Sequence, residues 1–121
     1  MTERIVIVGG GTGGTVLANR LTDRLEPELD RGDVEVVLVN DGENQYYKPA
    51  YLYVPFGKKD VSEATKPLTD LLPRSVEFWN ARVTEVDTDA QRVVLDNRRG
   101  LSYDHLVLAT GANLVPEEVP G

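Results

Sequence analysis

One stretch constrains the fold more than any other: "RIVIVGGGTGG", Arg4 to Gly14, with "TVLANRLTDRL" directly after it. The β-branched run that ends at Gly9 predicts a short strand buried on both faces, as in a parallel sheet. Val16, Leu17, Leu21 and Leu25 recur at helical spacing and predict an amphipathic helix with one apolar stripe. Glu26 precedes Pro27, which disfavours helical geometry at Glu26 and predicts the helix end there. "DRGD" predicts a turn, and Val34 to Val39 a second buried strand. Together these make a β-α-β unit with a right-handed crossover.

Gly9, Gly11 and Gly14 spell G-x-G-x-x-G between the strand and the helix. That context makes the pattern a dinucleotide loop rather than a chance match. Gly9 allows the tight turn out of the strand. Gly11 lets a pyrophosphate approach the backbone, and Gly14 lets the helix pack close to the strand. Gly10 and Gly13 widen the loop around Thr12. The helix start offers free N–H groups and its positive dipole end to phosphates. NAD, NADP and FAD all remain open at this point. A ribose reader is expected where the second strand ends, "VLVND". Either Asn40 or Asp41 can hydrogen-bond a ribose hydroxyl there. No basic residue follows directly, which counts against NADP.

Beyond this unit lies "NDGENQYYKPAYLYVPFGKKD", with Tyr46, Tyr47, Tyr51, Tyr53 and Phe56. The segment predicts a loop whose aromatics either pack together or line a ligand surface. "SEATKPLTDLLP" predicts a short helical segment broken at Pro67. From "VEFWNARV" onward, short strand-like pieces alternate with polar turns at Asp87–Asp89 and Asn97–Gly100, predicting an antiparallel meander. His105 to Ala109 is apolar again and is expected to rejoin the parallel sheet. The fold class is therefore α/β: a Rossmann-like FAD/NAD(P)-binding fold with a parallel sheet and an antiparallel β-meander, expected to be an incomplete domain.

Composition narrows the partners. The net charge is −7. A surface of that sign repels nucleic-acid phosphates and anionic lipid heads. The many acids and few lysines suit either a salty cytoplasm or an ordinary acidic protein. No cysteine is present, so these residues can form no disulfide or thiolate ligand. The single histidine, His105, has no His or Cys partner with which to hold a metal. The start, "MTERIVIVGG", lacks the order of a signal peptide, and a cytoplasmic-side location is expected.

A second signature, "YDHLVLATGA", stands about a hundred residues after the first. "IVIVGGGTGG", "VVLVND" and "YDHLVLATGA" together resemble the N-terminal part of the flavin-dependent pyridine nucleotide-disulfide oxidoreductases. Within that superfamily, "YYKPAYLYVPFGKKD" and "KPLTDLLPRSVEFWNARVTEVD" are similar to sulfide:quinone oxidoreductases and NADH:quinone reductases. The resemblance implies FAD as cofactor, with Ala109, Thr110 and Gly111 returning the chain to it. It places Pro49 beside the flavin and gives Arg82 and Val83 backbone contacts to the adenine end. Asn40 departs from the acid common at the ribose position in such enzymes. The resemblance also implies a longer parent enzyme, with quinone and either sulfide or NADH as partners, and with membrane contact made only by its C-terminal parts. The present residues then form an FAD-binding segment that carries no catalytic residue and is inactive by itself. Either self-association or weak FAD retention is expected of such a segment. A stand-alone dinucleotide-binding module is the alternative from another class.

Overall fold

The computed structural model describes residues 1–121. Its centre is a four-stranded parallel sheet. β1 (Glu3–Val8), β2 (Val34–Asn40), β5 (Val76–Asn80) and β9 (His105–Leu108) stand in the order β5-β2-β1-β9. Register runs from Glu3 opposite Val34 to Val8 opposite Val39, and from Ile5 opposite His105 to Val8 opposite Leu108. The pleat divides the apolar run between two faces. Val6, Val8, Val37 and Val39 point to one side, and Ile7, Val36 and Leu38 to the other. Both sets are buried, which is why the strands read as continuous apolar runs rather than alternating ones.

One face is covered by helices. α1 (Thr12–Arg24) crosses from β1 towards β2, followed by a short α2 (Glu26–Asp30). The single-turn α3 (Leu68–Leu71) completes that side, with Leu68 and Leu72 packed against Ile7, Val36 and Leu38. The other face is covered by an antiparallel meander of β6 (Val83–Asp87), β7 (Arg92–Leu95) and β8 (Gly100–Ser102). Val93, Leu95, Leu101 and Tyr103 from this meander close over Val6, Val8, Val37 and Val39. A small hairpin-like pair, β3 (Asn44–Tyr46) with β4 (Thr65–Pro67), brackets two 3-10 turns at Lys48–Tyr53 and Val61–Ala64. No helix is long and apolar enough to cross a membrane.

The expected β-α-β unit, meander and returning last strand are all present. Three local expectations are corrected. The buried stripe of α1 is Gly14, Thr15, Ala18 and Thr22; Val16 is exposed, and Leu17, Leu21 and Leu25 are only half-buried. Small residues face the sheet because the helix starts too close to β1 for large ones. The buried threonines are tolerated because each hydroxyl donates back to its own helix, Thr15 to Gly11 O at 2.8 Å and Thr22 to Ala18 O at 3.1 Å. The first helix ends at Arg24, and Pro27 lies in the first turn of α2, where its missing N–H costs nothing. Val76–Asn80 belongs to the parallel sheet, not the meander. It passes straight on into β6 without a reversing turn, and Ala81 N–H donates to Asn40 O at 3.0 Å across the end of β2.

Tyr103 and Asp104 hand the chain from the meander back to the sheet. Tyr103 N–H donates to Gln91 O at 2.9 Å. Asp104 N–H donates to Arg4 O at 2.9 Å, and its carboxylate accepts from Arg4 N–H at 2.7 Å. These two bonds set β9 beside β1 in the register that brings its end to the glycine loop.

Candidate functional site: a nucleotide recess at the strand ends

The carboxyl ends of the parallel strands converge on two adjoining recesses, where open α/β sheets bind ligands. The larger, about 530 Å³, is lined by Val8, Gly9, Val39 to Asp41, Ala81 to Val83 and Thr110, among others. The smaller, about 330 Å³, is lined by Gly9 to Gly13, Asn40, Pro49 and Ala109 to Ala112, with Tyr46 and Lys48. Gly9, Asn40 and Thr110 belong to both. Every predicted site residue except Gly14 therefore lines this one region. Gly14 is buried beneath it.

The glycines divide by what surrounds them. Gly9 has φ +114°, and a Cβ there would lie 2.1 Å from Ala109 O. The two glycine motifs thus meet backbone to backbone. A Cβ on Gly14 would lie 1.8 Å from Gly9 O. Gly11 is the opposite case: nothing lies within 4 Å of its absent Cβ, and the residue is exposed. Gly111 has φ +69° and equally open surroundings. Two glycines are there so that the protein can close on itself, and two where a guest has room.

The start of α1 is open to such a guest. Its first backbone bond is Thr15 N–H to Gly11 O at 3.0 Å, so the N–H groups ahead of it have no partner within the helix. No side chain caps this end and no acid occupies its first turn. Lys48, exposed on the smaller recess, adds a positive charge. Sequence reading missed Lys48, because only the fold of the aromatic segment brings it to the loop. The donor set suits a pyrophosphate: open N–H groups, a positive dipole end, a lysine, and no Cβ above Gly11.

At the other end, Asn40 and Asp41 differ sharply. Asn40 Oδ1 accepts from Gly10 N–H at 2.8 Å, and its Nδ2 donates to Gly42 O at 2.9 Å. Asp41 is exposed, with its carboxylate 4.0 Å from Arg82 Nε. No basic residue follows Asn40 directly in the chain, yet the fold brings Arg82 beside Asp41. β5 runs parallel to β2, so the residues after Asn80 arrive beside Asp41. The pair is exposed and contributes little to stability.

Of the exposed aromatics, Tyr46 reaches the smaller recess, while Tyr47, Tyr53 and Phe56 stand in solvent. His105 pairs with Glu3 at 3.1 Å on the surface, away from the recess. No group of His, Cys, Asp and Glu side chains is arranged to hold a metal ion.

The sequence profile of the pyridine nucleotide-disulphide oxidoreductases matches residues 3–121. The chain belongs to this family. It is 31% identical to the sulfide-quinone reductase of Aquifex aeolicus, over 95% of this chain and 26% of that protein. It is 35% identical to an NADH dehydrogenase-like protein of Mycobacterium tuberculosis, over 98% of this chain and 29% of that protein. The crystal structure of the Aquifex aeolicus sulfide:quinone oxidoreductase superposes with a TM-score of 0.79 at 27% identity, covering 94% of this chain and 25% of that one. NDH2 of Plasmodium falciparum, solved with NADH, shares the fold with a TM-score of 0.72 at 21% identity. The chain thus spans about a quarter of the length of the relatives it matches.

Proposed function

We propose that these residues bind FAD as the N-terminal segment of a longer flavin-dependent oxidoreductase of sulfide:quinone type. The observation that carries this reading is the contact of Gly9 with Ala109 O, which joins two motifs a hundred residues apart into one recess. Family membership and the similarity to the Aquifex aeolicus enzyme support it. The open N–H groups at Gly11 to Gly13 and the Lys48 ammonium would hold the pyrophosphate. The backbone at Arg82 and Val83 would meet the adenine. Thr110, Gly111 and Pro49 would flank the flavin end. FAD, when bound, supplies the two-electron redox chemistry. The chain's contribution is binding and orientation, since no catalytic residue is assigned to it. The longer protein would work on the cytoplasmic side, passing electrons from sulfide to quinone.

Titration of the purified chain with FAD, NAD and NADP, followed by fluorescence, tests the cofactor. Binding of FAD at least about tenfold tighter than either nicotinamide nucleotide is expected. Preference for NAD or NADP would overturn the assignment.

A second reading, NADH:quinone reduction, is favoured by the 35% identity to the mycobacterial NADH dehydrogenase-like protein. Anaerobic addition of sulfide or NADH to the native protein that carries this segment separates the two. Bleaching of the flavin by sulfide supports the first reading, and bleaching by NADH alone the second.

A further inference from the structure

Asn40 stands at the end of β2, where a ribose reader is expected, yet its amide is already engaged at both atoms. The oxygen must accept from Gly10 N–H and the nitrogen must donate to Gly42 O. Gly10 is buried within the phosphate loop, and a Cβ on it would lie 3.0 Å from Asn40 Cγ. Gly42, with φ +122°, forms the turn that leads out of β2. The side chain therefore ties the loop above β1 to the turn after β2. Asp41, by contrast, is 70% exposed on its side chain and lines the larger recess with Arg82.

We propose that Asn40 is a positioning residue, a neutral donor–acceptor bridge that holds the glycine loop in its ligand-ready shape, and that ribose contact falls to Asp41. The ribose assignment rests on the FAD reading, whereas the bridge belongs to the protein alone. An aspartate at position 40 separates the two. As a carboxylate it still accepts from Gly10, but it turns a second acceptor towards Gly42 O. Protonation converts that oxygen into a donor and restores the bridge. The folded state of N40D thus holds its proton more tightly than the unfolded chain, and the carboxyl pKa is raised. Stability is gained as pH falls through that raised value and lost above it. The titratable groups lining the same recesses are Asp41, Arg82, Tyr46 and Lys48. The segments just after β1 and β9 bring Gly9 and Thr110 near this position, and β5 and α3 contribute Asn80 and Leu68; none of these titrates.

The experiment combines amide hydrogen exchange at Gly10, stability of N40D against urea, and FAD affinity of N40D and D41A, from about pH 8 to about pH 5. Wild-type Gly10 is expected to exchange slowly, unlike exposed Gly11, and wild-type affinity to stay flat with pH. N40D is expected to gain both stability and FAD affinity, about tenfold in each equilibrium constant, towards acid pH. D41A is expected to weaken FAD about tenfold while Gly10 stays protected. Fast exchange at wild-type Gly10, or an N40D variant with the pH profile of wild type, would overturn the bridge. Unchanged FAD affinity in D41A would overturn the ribose assignment. If wild type binds no FAD but N40D stability still rises with acid, the FAD reading fails and the bridge stands.

Discussion

Gly14 faces the carbonyl of Gly9 at a distance no side chain can share: a Cβ would sit 1.8 Å from that oxygen. The neighbour is backbone and cannot rotate away. Relief requires α1 to move off β1, which would open the packing of Ala18 and Thr22 on the sheet. Gly14→Ala is therefore expected to cost about 3 kcal/mol or more. Urea denaturation followed by circular dichroism checks this; a loss below about 1 kcal/mol would mean that the helix seat is softer than the contact implies.

Gly11→Ala should behave in the opposite way. Gly11 has φ −75° and open space at its Cβ position, so the fold tolerates a methyl group. Stability is expected to change by no more than about 1 kcal/mol. The methyl group enters the space assigned to the pyrophosphate, so FAD affinity should fall about tenfold or more. Measuring both quantities on one sample separates a ligand-facing glycine from a packing glycine. Equal FAD affinity in the two proteins would place the phosphate elsewhere.

Asp60 offers a pH-dependent handle remote from the recess. It caps the 3-10 turn at Val61–Ala64, accepting from Ser62 N–H at 2.9 Å and from the Ser62 hydroxyl at 2.9 Å. These bonds, the backbone one first, hold its carboxyl below the usual aspartate range. A depressed folded pKa means that the cap is complete above the unfolded value, about 3.9, and is lost as pH falls through the folded value. The Ser62 amide shift in NMR should therefore titrate with a midpoint below that of a free aspartate. A midpoint at the ordinary value would show that the cap is not formed in solution.

The open edge of β9 predicts association of the chain in isolation. β9 is the last strand of the sheet, with Leu108 61% exposed. On the opposite, helix-covered face of the sheet, α1 presents Val16, 52% exposed, next to half-buried Leu17 and Leu21. Unpaired strand edges and contiguous apolar surface promote pairing of copies. Light scattering should show a concentration-dependent dimer, and the L108K and V16K double variant should remain monomeric. A monomeric wild-type chain at high concentration would contradict the expectation.

Much of this architecture was legible in the residues themselves. A short β-branched run that ends at glycine fits a strand with both faces covered, and a glycine loop between it and a helical period fits a tight β-α turn. The same reasoning located the meander and the strand that rejoins the sheet. It went wrong where two elements had to be judged together. The stripe through Val16, Leu17, Leu21 and Leu25 has the right period, but the closeness imposed by Gly14 turned the smaller face of α1 towards β1. Val76–Asn80 looks like the next strand of the meander, and only pairing with β2 assigns it to the parallel sheet.

The sequence by itself determined the β-α-β unit and the positions of both glycine motifs. Local sterics and hydrophobic period act within a few residues, so they can be read along the chain. The tertiary structure alone decided that Asn40 is tied to Gly10 and Gly42 while Asp41 stays exposed, that Arg82 meets Asp41, and that Lys48 reaches the glycine loop. Those outcomes depend on strand order and register, which bring together residues tens of positions apart and leave no mark in either local segment.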